Sequence, residues 1–262
     1  MSLLYLNGKI LSSDDAAIST GDQGFLLGHG FFETLRVEQG EPLAFPAHYE
    51  RFSEAAERLN IVVPSESELS AAVSDLLKQS EVSAAKMRIT VTAGTGEKPT
   101  LLITTGPLPE YAESARVISV PWPRNEKGAL SGIKSTSYSE NLLAMKYAKE
   151  RGADDAVFAN TRGNLCEGAT TNVFVVMGGR LLTPPLSSGC LPGTCRRRVL
   201  ELCKSEDIPV WQEDIPMPLA KPEFAFLTSS LRYLQPVHRF DDHILPITHP
   251  VFDILQKHSP NR

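Results

Sequence analysis

The stretch that decides the fold is residues 164–176, Asn-Leu-Cys-Glu-Gly-Ala-Thr-Thr-Asn-Val-Phe-Val-Val. A turn with Gly168 leads here into an apolar run over 171–176, which predicts a buried strand. Glu167 stands at the mouth of that strand, between Cys166 and small residues. This is an unusual place for a surface carboxylate, so the pattern leaves two interpretations open: an ordinary turn residue or a functional acid.

Further strands and helices are predicted on both sides of this stretch. In the second half we expect strands over 115–120, 155–159, 180–183, 210–213 and 224–228, and helices over 138–151 and from Gly193 to about 205. In the first half we expect a hairpin at Asn7-Gly8, strands over 31–37, 86–92 and 100–105, and helices over 46–60 and 67–79. The Pro-x-Pro segment at 107–113 breaks the pattern. We therefore predict a mixed α+β and α/β chain, with a small α+β N-terminal domain, 1–110, and a larger strand-rich C-terminal domain, 111–262.

The composition excludes several functional classes. The 262 residues include 26 Lys and Arg against 31 Asp and Glu, a formal net charge of -5, which argues against nucleic acid as a partner. No apolar run reaches the roughly 18 residues that a membrane span needs, and the first residues do not resemble a signal peptide. The four cysteines show no metal-binding spacing. We expect free thiols, no metal, no membrane partner and a cytoplasmic location.

Three further features can carry chemistry. Lys134 lies in Ser-Gly-Ile-Lys-Ser-Thr-Ser-Tyr, just before a predicted helix, and Arg51 lies on the first long helix. Leu191-Pro192-Gly193 precedes another helix, whose first amides can bind an anion. Taken singly, these are a surface lysine, a surface arginine and an ordinary helix start. Together with Glu167 they are what pyridoxal phosphate requires: a lysine for an imine, a carboxylate for the pyridinium proton, and an arginine with a helix start for the phosphate.

The motifs occur in the order found in the class IV, or D-amino-acid-aminotransferase-like, family of pyridoxal-phosphate enzymes, which the chain resembles over nearly its whole length. The family's phosphate-binding arginine lies in a His-x-x-Arg-Leu helix, matched by the segment from His48 to Phe52 with Arg51 as the arginine. Its Schiff-base lysine matches Lys134. Its Glu-Gly-x-x-x-Asn-x-Phe motif begins here at Glu167. The resemblance implies a two-domain class IV fold, bound pyridoxal phosphate and a homodimer.

The resemblance also suggests the remaining cofactor contacts. Leu-Pro-Gly at 191–193 implies that the amides of Thr194 and Cys195 donate to the phosphate. Ser230, in Thr-Ser-Ser-Leu-Arg, matches a hydroxyl that touches the phosphate. Tyr138 matches a tyrosine that reaches the cofactor's phenolic oxygen in several relatives, and a packing role at the helix start is the alternative.

Three activities of the family compete. Phe32 stands where D-amino-acid aminotransferases carry a carboxylate-binding tyrosine, and Ser229-Ser230-Leu231-Arg232 resembles the lyase's Asn-Ser-Leu-Arg signature. Both features favour a lyase that converts 4-amino-4-deoxychorismate to 4-aminobenzoate and pyruvate in folate biosynthesis. The alternatives are an aminotransferase for D-amino or branched-chain amino acids and, from another class, a non-catalytic protein that binds pyridoxal phosphate.

The substrate carboxylates lack one expected partner. The turn at 95–99, Thr-Gly-Glu-Lys-Pro, contains no arginine, whereas many relatives have an Arg-Gly element in a longer loop here. Phe32, Arg36 and Arg232 are therefore the candidate substrate residues. Both arginines can equally be surface residues.

Overall fold

The computed structural model describes residues 2–258, and the chain divides into two compact units. One unit is Met1–Glu110 with Ile133–Tyr138, and the other is Tyr111–Gly132 with Ser139–Arg262. The first long segment ends at Glu110, but the short segment that carries Lys134 is grouped with the N-terminal unit. This differs from the expected division, in which Lys134 belongs to the domain 111–262. The reason is backbone pairing, described below.

The N-terminal unit is one antiparallel sheet with two long helices. Its strands pair in the order β2-β1-β6-β5-β3-β4. Their bounds are β1 Leu3–Leu6, β2 Lys9–Ser12, β3 Gly30–Glu38, β4 Glu41–Pro42, β5 Ala85–Thr95 and β6 Lys98–Gly106. The helices are α1 Gln23–Leu27, α2 Phe45–Leu59 and α3 Glu66–Ser80. The sequence predicts all of these except the short α1 and β4.

Local sequence explains where these elements begin and turn. Asn7 and Gly8 both have positive φ, 47° and 89°, as the predicted tight hairpin turn requires. Helix α3 begins with a capping box, in which Ser65 and Glu68 each bond to the other's backbone amide. Alternate residues of β3 enter the core against α2, because side chains on a strand point to opposite faces in turn.

The outer edge of β3 is covered by two separate segments. Strand β4 pairs only with its end, at Val37 and Glu38. Near its start, the Phe32 amide donates to the Lys134 carbonyl at 2.8 Å and the Thr136 amide donates to the Gly30 carbonyl at 2.9 Å. The lysine segment therefore acts as a short extra strand of the N-terminal unit, which satisfies backbone groups that an open edge would expose.

The C-terminal unit is built on a nine-stranded mixed sheet in the order β12-β11-β10-β13-β14-β7-β8-β9, with β15 paired to β14. The strands are β7 Ala115–Ser119, β8 Asp155–Ala159, β9 Leu165–Gly168, β10 Asn172–Met177, β11 Arg180–Thr183, β12 Val210–Gln212, β13 Phe224–Ser229, β14 Tyr233–Phe240 and β15 His243–Ile244. The α-helices are α4 Ser139–Glu150, α5 Thr194–Ser205 and α6 Pro250–Lys257, and Leu186–Ser188 forms a 3-10 turn. Neighbours β7 and β8, β7 and β14, and β11 and β12 are parallel.

Four elements here were not predicted: β9, β14, β15 and α6. Strand β14 contains Pro236, and a proline within an apolar run argues against a strand. Strand β9 matters for the site because it contains Glu167. The sequence predicts a turn at this residue, and the structure places it in a strand. Glu167 lies opposite Phe158 in the antiparallel pair of β8 and β9.

All four cysteines are free, as expected, and three of them are buried. Over residues 2–258, no helix is long and apolar enough to cross a membrane.

Candidate active site

In the N-terminal unit, Lys134 lies beside two aromatic rings. Its Nζ atom is 4.4 Å from the centre of the Phe32 ring and 5.3 Å from that of Tyr138. The two rings meet edge to face with their centres 5.1 Å apart. The carbonyl of Lys134 is fixed by the Phe32 amide. Three of the residues singled out from the sequence are thus brought together, around a lysine whose backbone is held in a sheet.

Arg88, which has no distinguishing signal in the sequence, also lies against the Phe32 ring. The guanidinium carbon of Arg88 is 3.5 Å from the centre of the Phe32 ring, and Arg88 Nε donates to Thr90 Oγ1 at 3.1 Å. Burial lowers the pKa of Arg88 and the charge of Tyr138 raises it, with burial dominant. Arg88 alternates with apolar residues along β5, a pattern that is typical of a solvent-facing position. The pairing of β5 with β3 gives it a neighbour instead. Thr90 lies opposite Phe32, so Arg88, two residues earlier, is the diagonal neighbour of Phe32 on the same face of the sheet.

Arg51 is held in a buried cluster of charged groups. The Glu33 carboxylate accepts from Arg51 Nε at 2.8 Å, from Arg51 Nη2 at 2.6 Å and from His48 Nδ1 at 2.7 Å. Glu33 and His48 are 2% and 3% exposed. Burial alone would raise the pKa of Glu33, but the charge of Arg51 and the hydrogen bonds from His48 and Arg51 lower it to about 2. Glu33 is therefore ionised at neutral pH.

The two arginines considered for the substrate carboxylates have other partners. Arg36 is paired with the carboxylate of Glu38, its neighbour on β3. In the C-terminal unit, Arg232 is buried and its Nη2 atom is 3.1 Å from Asp155 Oδ2, while its Nη1 donates to Gln235 at 3.0 Å. Burial holds the pKa of Asp155 above its usual range, and Arg232 opposes this shift.

The Asp155–Arg232 pair makes a stability prediction. We expect Arg232→Met to lower the free energy of unfolding by about 3–5 kcal/mol, because it leaves a fully buried carboxylate unpaired. Chemical denaturation measures this. Arg198→Met, which removes an exposed partner of Glu201 on α5, is the control and should cost at most about 1 kcal/mol. An Arg232→Met variant as stable as the control would contradict the prediction.

In the C-terminal unit, Glu167 is a buried acid with a fixed orientation. It is 8% exposed, and its Oε2 atom accepts from the Leu191 amide at 2.8 Å. Its Oε1 atom lies 3.8 Å from Nε of Arg124, whose guanidinium packs over the Phe158 ring. A nearby positive charge and an amide donor both favour the ionised carboxylate. Arg124 carries no signal in the sequence that would have singled it out.

The start of α5 is suited to an anion. Gly193 precedes the helix and brings no side chain to its first turn, and a Cβ there would collide with the Asn172 side chain. Asn172 in turn donates to the Leu191 carbonyl at 2.9 Å. The hydroxyl oxygens of Thr194 and Ser230 are 3.3 Å apart at this helix start.

The Cys195 side chain does not share in this anion site. Its Sγ atom donates to the Tyr233 carbonyl at 3.4 Å, and burial raises the pKa of this thiol to about 12. The thiol is therefore neutral, and only the backbone amide of Cys195 is suited to an anion.

Each unit contains groups that fit a part of pyridoxal phosphate. In the C-terminal unit, helix amides and two hydroxyls suit its phosphate and a buried carboxylate suits its ring nitrogen. In the N-terminal unit, a lysine held in a sheet suits its aldehyde carbon. No group of three or more His, Cys, Asp and Glu side chains within residues 2–258 is arranged to hold a metal ion.

Comparison with known proteins agrees with this chemistry. The family model described as amino-transferase class IV matches residues 30–240. The chain belongs to the class IV aminotransferase family. Members of this family depend on pyridoxal phosphate, and solved structures of the same fold include a pyridoxal-phosphate-bound form.

The relatives within the class IV family differ in activity. A Methanocaldococcus jannaschii protein provisionally named a branched-chain-amino-acid aminotransferase is 30% identical, covering 92% of this chain and 89% of its own. The aminodeoxychorismate lyase of Bacillus subtilis is 31% identical, covering 77% and 74%. The D-alanine aminotransferase of Staphylococcus epidermidis is 26% identical, covering 92% and 90%. The branched-chain aminotransferase of Thermoproteus uzoniensis has the same fold, with a TM-score of 0.91, 24% identity and coverage of 98% and 93%.

Proposed function

We propose that this class IV enzyme is an aminodeoxychorismate lyase, which converts 4-amino-4-deoxychorismate to 4-aminobenzoate and pyruvate in folate biosynthesis. The observation that carries the proposal is the position of Phe32. The guanidinium carbon of Arg88 and the Nζ atom of Lys134 lie 3.5 Å and 4.4 Å from the centre of its ring. The Phe32 side chain thus presents no hydrogen-bonding atom to the lysine, at the position where D-amino-acid aminotransferases carry a carboxylate-binding tyrosine.

The chemistry of the substrate matches that surface. In 4-amino-4-deoxychorismate the amine is borne by a ring carbon that carries no carboxylate, whereas an α-amino acid carries its carboxylate on the amine-bearing carbon. An α-carboxylate needs a charged or hydrogen-bonding partner beside the lysine, and Phe32 cannot supply one. We assign Arg88 to a substrate carboxylate, in place of Arg36 and Arg232, whose guanidinium groups are paired with Glu38 and Asp155.

Each candidate residue then has a role. Lys134 would hold the cofactor covalently, and its Nζ atom, when free, would take the proton from the amine-bearing carbon of the substrate. The Glu167 carboxylate, which the Leu191 amide orients, would hold the proton of the ring nitrogen. Tyr138 would supply a hydroxyl to the phenolic oxygen. When bound, pyridoxal phosphate supplies the electron sink that makes the carbon acid strong enough to lose this proton.

The phosphate is assigned to residues that supply a positive charge or a hydrogen-bond donor. Arg51 supplies the charge, the hydroxyls of Thr194 and Ser230 and the amides of Thr194 and Cys195 donate hydrogen bonds, and the N-terminus of α5 adds its dipole. A phosphate held in this way anchors the cofactor while its link to Lys134 is broken.

An aminotransferase is the second candidate. It is favoured by the Methanocaldococcus jannaschii relative, which matches more of this chain than the Bacillus subtilis lyase does, 92% against 77%. Such an enzyme would act on branched-chain or D-amino acids. It would need a carboxylate partner beside Lys134, and Arg88 is the residue placed to provide one.

The deciding experiment is product release. Purified protein loaded with pyridoxal phosphate is mixed with 4-amino-4-deoxychorismate, and 4-aminobenzoate and pyruvate are measured. We expect equal amounts of both products, since they are the two halves of one substrate. If cofactor-loaded protein releases neither product but transfers the amino group of an amino acid to a 2-oxo acid, the lyase proposal is wrong and the aminotransferase stands.

Arg88 makes a second prediction within this proposal. We expect Arg88→Met to lower kcat/KM by roughly 30-fold, mainly through KM, because a hydrogen bond to a charged group contributes about 2 kcal/mol. Arg36→Met, on the neighbouring strand, is the matched control and should change kcat/KM little. Equal effects of the two substitutions would remove Arg88 from the substrate site.

A homodimer and a cytoplasmic location belong to the same proposal. In the N-terminal unit, Phe25, Leu26 and Leu27 are consecutive on α1, with exposures of 76%, 59% and 73%. Three large apolar side chains presented together to solvent are typical of an interaction surface. This supports association of the chain with a second copy of itself.

A further inference from the structure

Glu33 occupies a position in β3 that the fold would otherwise give to an apolar residue. Phe31, Leu35 and Val37 lie on the same face of the strand as Glu33, and all three are buried in the core against α2. A carboxylate in that row is costly unless it is paired, because burial disfavours the charged form. The partners come from one face of α2, where His48 and Arg51 are three residues apart.

Stability alone does not account for this cluster. Replacing a buried set of charges by apolar residues of similar volume is often neutral or stabilising. The surrounding core already contains apolar residues of both elements, including Phe52 and Ala55 of α2. A buried carboxylate with three donors is better explained by what it does to the orientation of those donors.

We propose that Glu33 is the positioning residue for Arg51, and that it fixes the guanidinium plane in the orientation that receives the cofactor phosphate. Glu33 accepts from Nε and Nη2 at 2.8 Å and 2.6 Å, so two atoms of the planar fork are fixed at once. The Nη1 edge is not part of this bidentate pair. His48 completes the clamp, because its Nδ1 atom binds Glu33 Oε2 at 2.7 Å and stops the carboxylate from rotating.

This inference rests on the proposed function, which assigns Arg51 to the phosphate. In the proposed function Arg51 makes the contact with the phosphate. The inference adds that Glu33 acts on the phosphate only through Arg51. Glu33 should therefore matter for ligands that carry the phosphate and not for ligands that lack it.

The test compares two ligands that differ only in that group. The affinity of cofactor-free protein is measured for pyridoxal phosphate and for pyridoxal, by the absorbance change on binding. In Glu33→Gln the side-chain NH₂ faces the donors of Arg51 or His48, so the fork loses at least one of its two bonds. We expect the affinity for pyridoxal phosphate to fall ~10- to 100-fold, the usual effect of losing a residue that orients a ligand, and the affinity for pyridoxal to stay the same.

Three further variants make the result decisive. Glu38→Gln is the same substitution on the same strand, at a carboxylate that pairs with Arg36, and should leave both affinities unchanged. Glu33→Asp keeps the charge but shortens the side chain by one carbon, so its loss of affinity for pyridoxal phosphate should be smaller than that of Glu33→Gln. It provides the test if Glu33→Gln does not fold. Arg51→Met should reduce the preference for the phosphorylated ligand at least as much as Glu33→Gln does, and the contacts at the start of α5 should preserve part of it.

The outcomes separate the two claims. If Arg51→Met reduces the preference for pyridoxal phosphate and both Glu33 variants keep the wild-type preference, Glu33 does not position Arg51 and the inference is wrong. If Arg51→Met itself keeps the full wild-type preference, the assignment of Arg51 to the phosphate fails, and the inference fails with it.

Discussion

Turnover by Lys134→Ala is expected to fall at least ~10³-fold, and the cofactor should lose its covalent link to the protein. The physical reason is that one side chain is assigned two tasks. It binds the aldehyde carbon of the cofactor, and it is the base that removes the substrate proton. Its backbone position does not depend on the side chain, because the Phe32 amide holds the Lys134 carbonyl. The variant should therefore fold and still bind the cofactor through the phosphate contacts.

Two measurements check this. Formation of the imine releases one water and borohydride then reduces the imine to an amine, so the mass of the wild-type protein should increase by one phosphopyridoxyl group, whereas the mass of Lys134→Ala should not. Turnover is measured on the same samples. Lys146→Ala removes an exposed lysine of α4 and should match the wild type in both measurements. A Lys134→Ala variant that gains the mass, or that keeps the wild-type rate, would show that another lysine carries the cofactor.

Glu167→Gln should reduce turnover by ~10²–10³-fold, the usual loss when a group placed to stabilise transition-state charge is removed. An amide cannot keep a proton on the ring nitrogen as a carboxylate does, so the substrate proton becomes harder to remove. The amide oxygen can still accept from the Leu191 amide, so the loop before α5 should stay in place. Cofactor affinity should accordingly change much less than the rate.

Glu213→Gln is the matched control, because it removes the charge of a partly exposed acid that pairs with Arg180. Its rate should equal that of the wild type. The proposed role of Glu167 is lost if Glu167→Gln turns over at the wild-type rate. A variant that loses the cofactor altogether would also count against the role, since the proposal leaves the phosphate contacts intact.

The sequence predicts most elements of the fold because their signals are local. Strand β3 alternates, α2 and α3 have helical spacing, and Asn7-Gly8 supplies a tight turn. The pairing of the Lys134 segment with β3 has no such signal, since it joins residues about 100 positions apart in the chain. Because of this pairing, the two compact units differ from the predicted domains at one point: Lys134 packs with residues 1–110, whereas the sequence predicts that it belongs to the domain 111–262.

The same reasoning separates the candidate residues that carry a signal in the sequence from those that only the structure brings to attention. Lys134, Glu167 and Arg51 carry recognisable motifs. Arg88 does not, because an arginine that alternates with apolar residues on a strand has the pattern of a surface position, and only the register with β3 brings it to Phe32. Glu33 could have been found, since it interrupts an apolar row of period two. Arg232 is the reverse case: its motif predicts a substrate contact, whereas its side chain is paired with buried Asp155.

The short strand formed by the Lys134 segment also affects how the protein is synthesised and how it can be divided. The ribosome has to release the chain as far as Tyr138 before the N-terminal sheet can acquire its last piece, and by then the first strand of the other unit, β7, has already emerged. Cutting the gene after residue 110 would therefore give a fragment in which the backbone of Gly30 and Phe32 has lost its partners. A split reporter or a circular permutant of this enzyme should keep residues 133–138 joined to the N-terminal half.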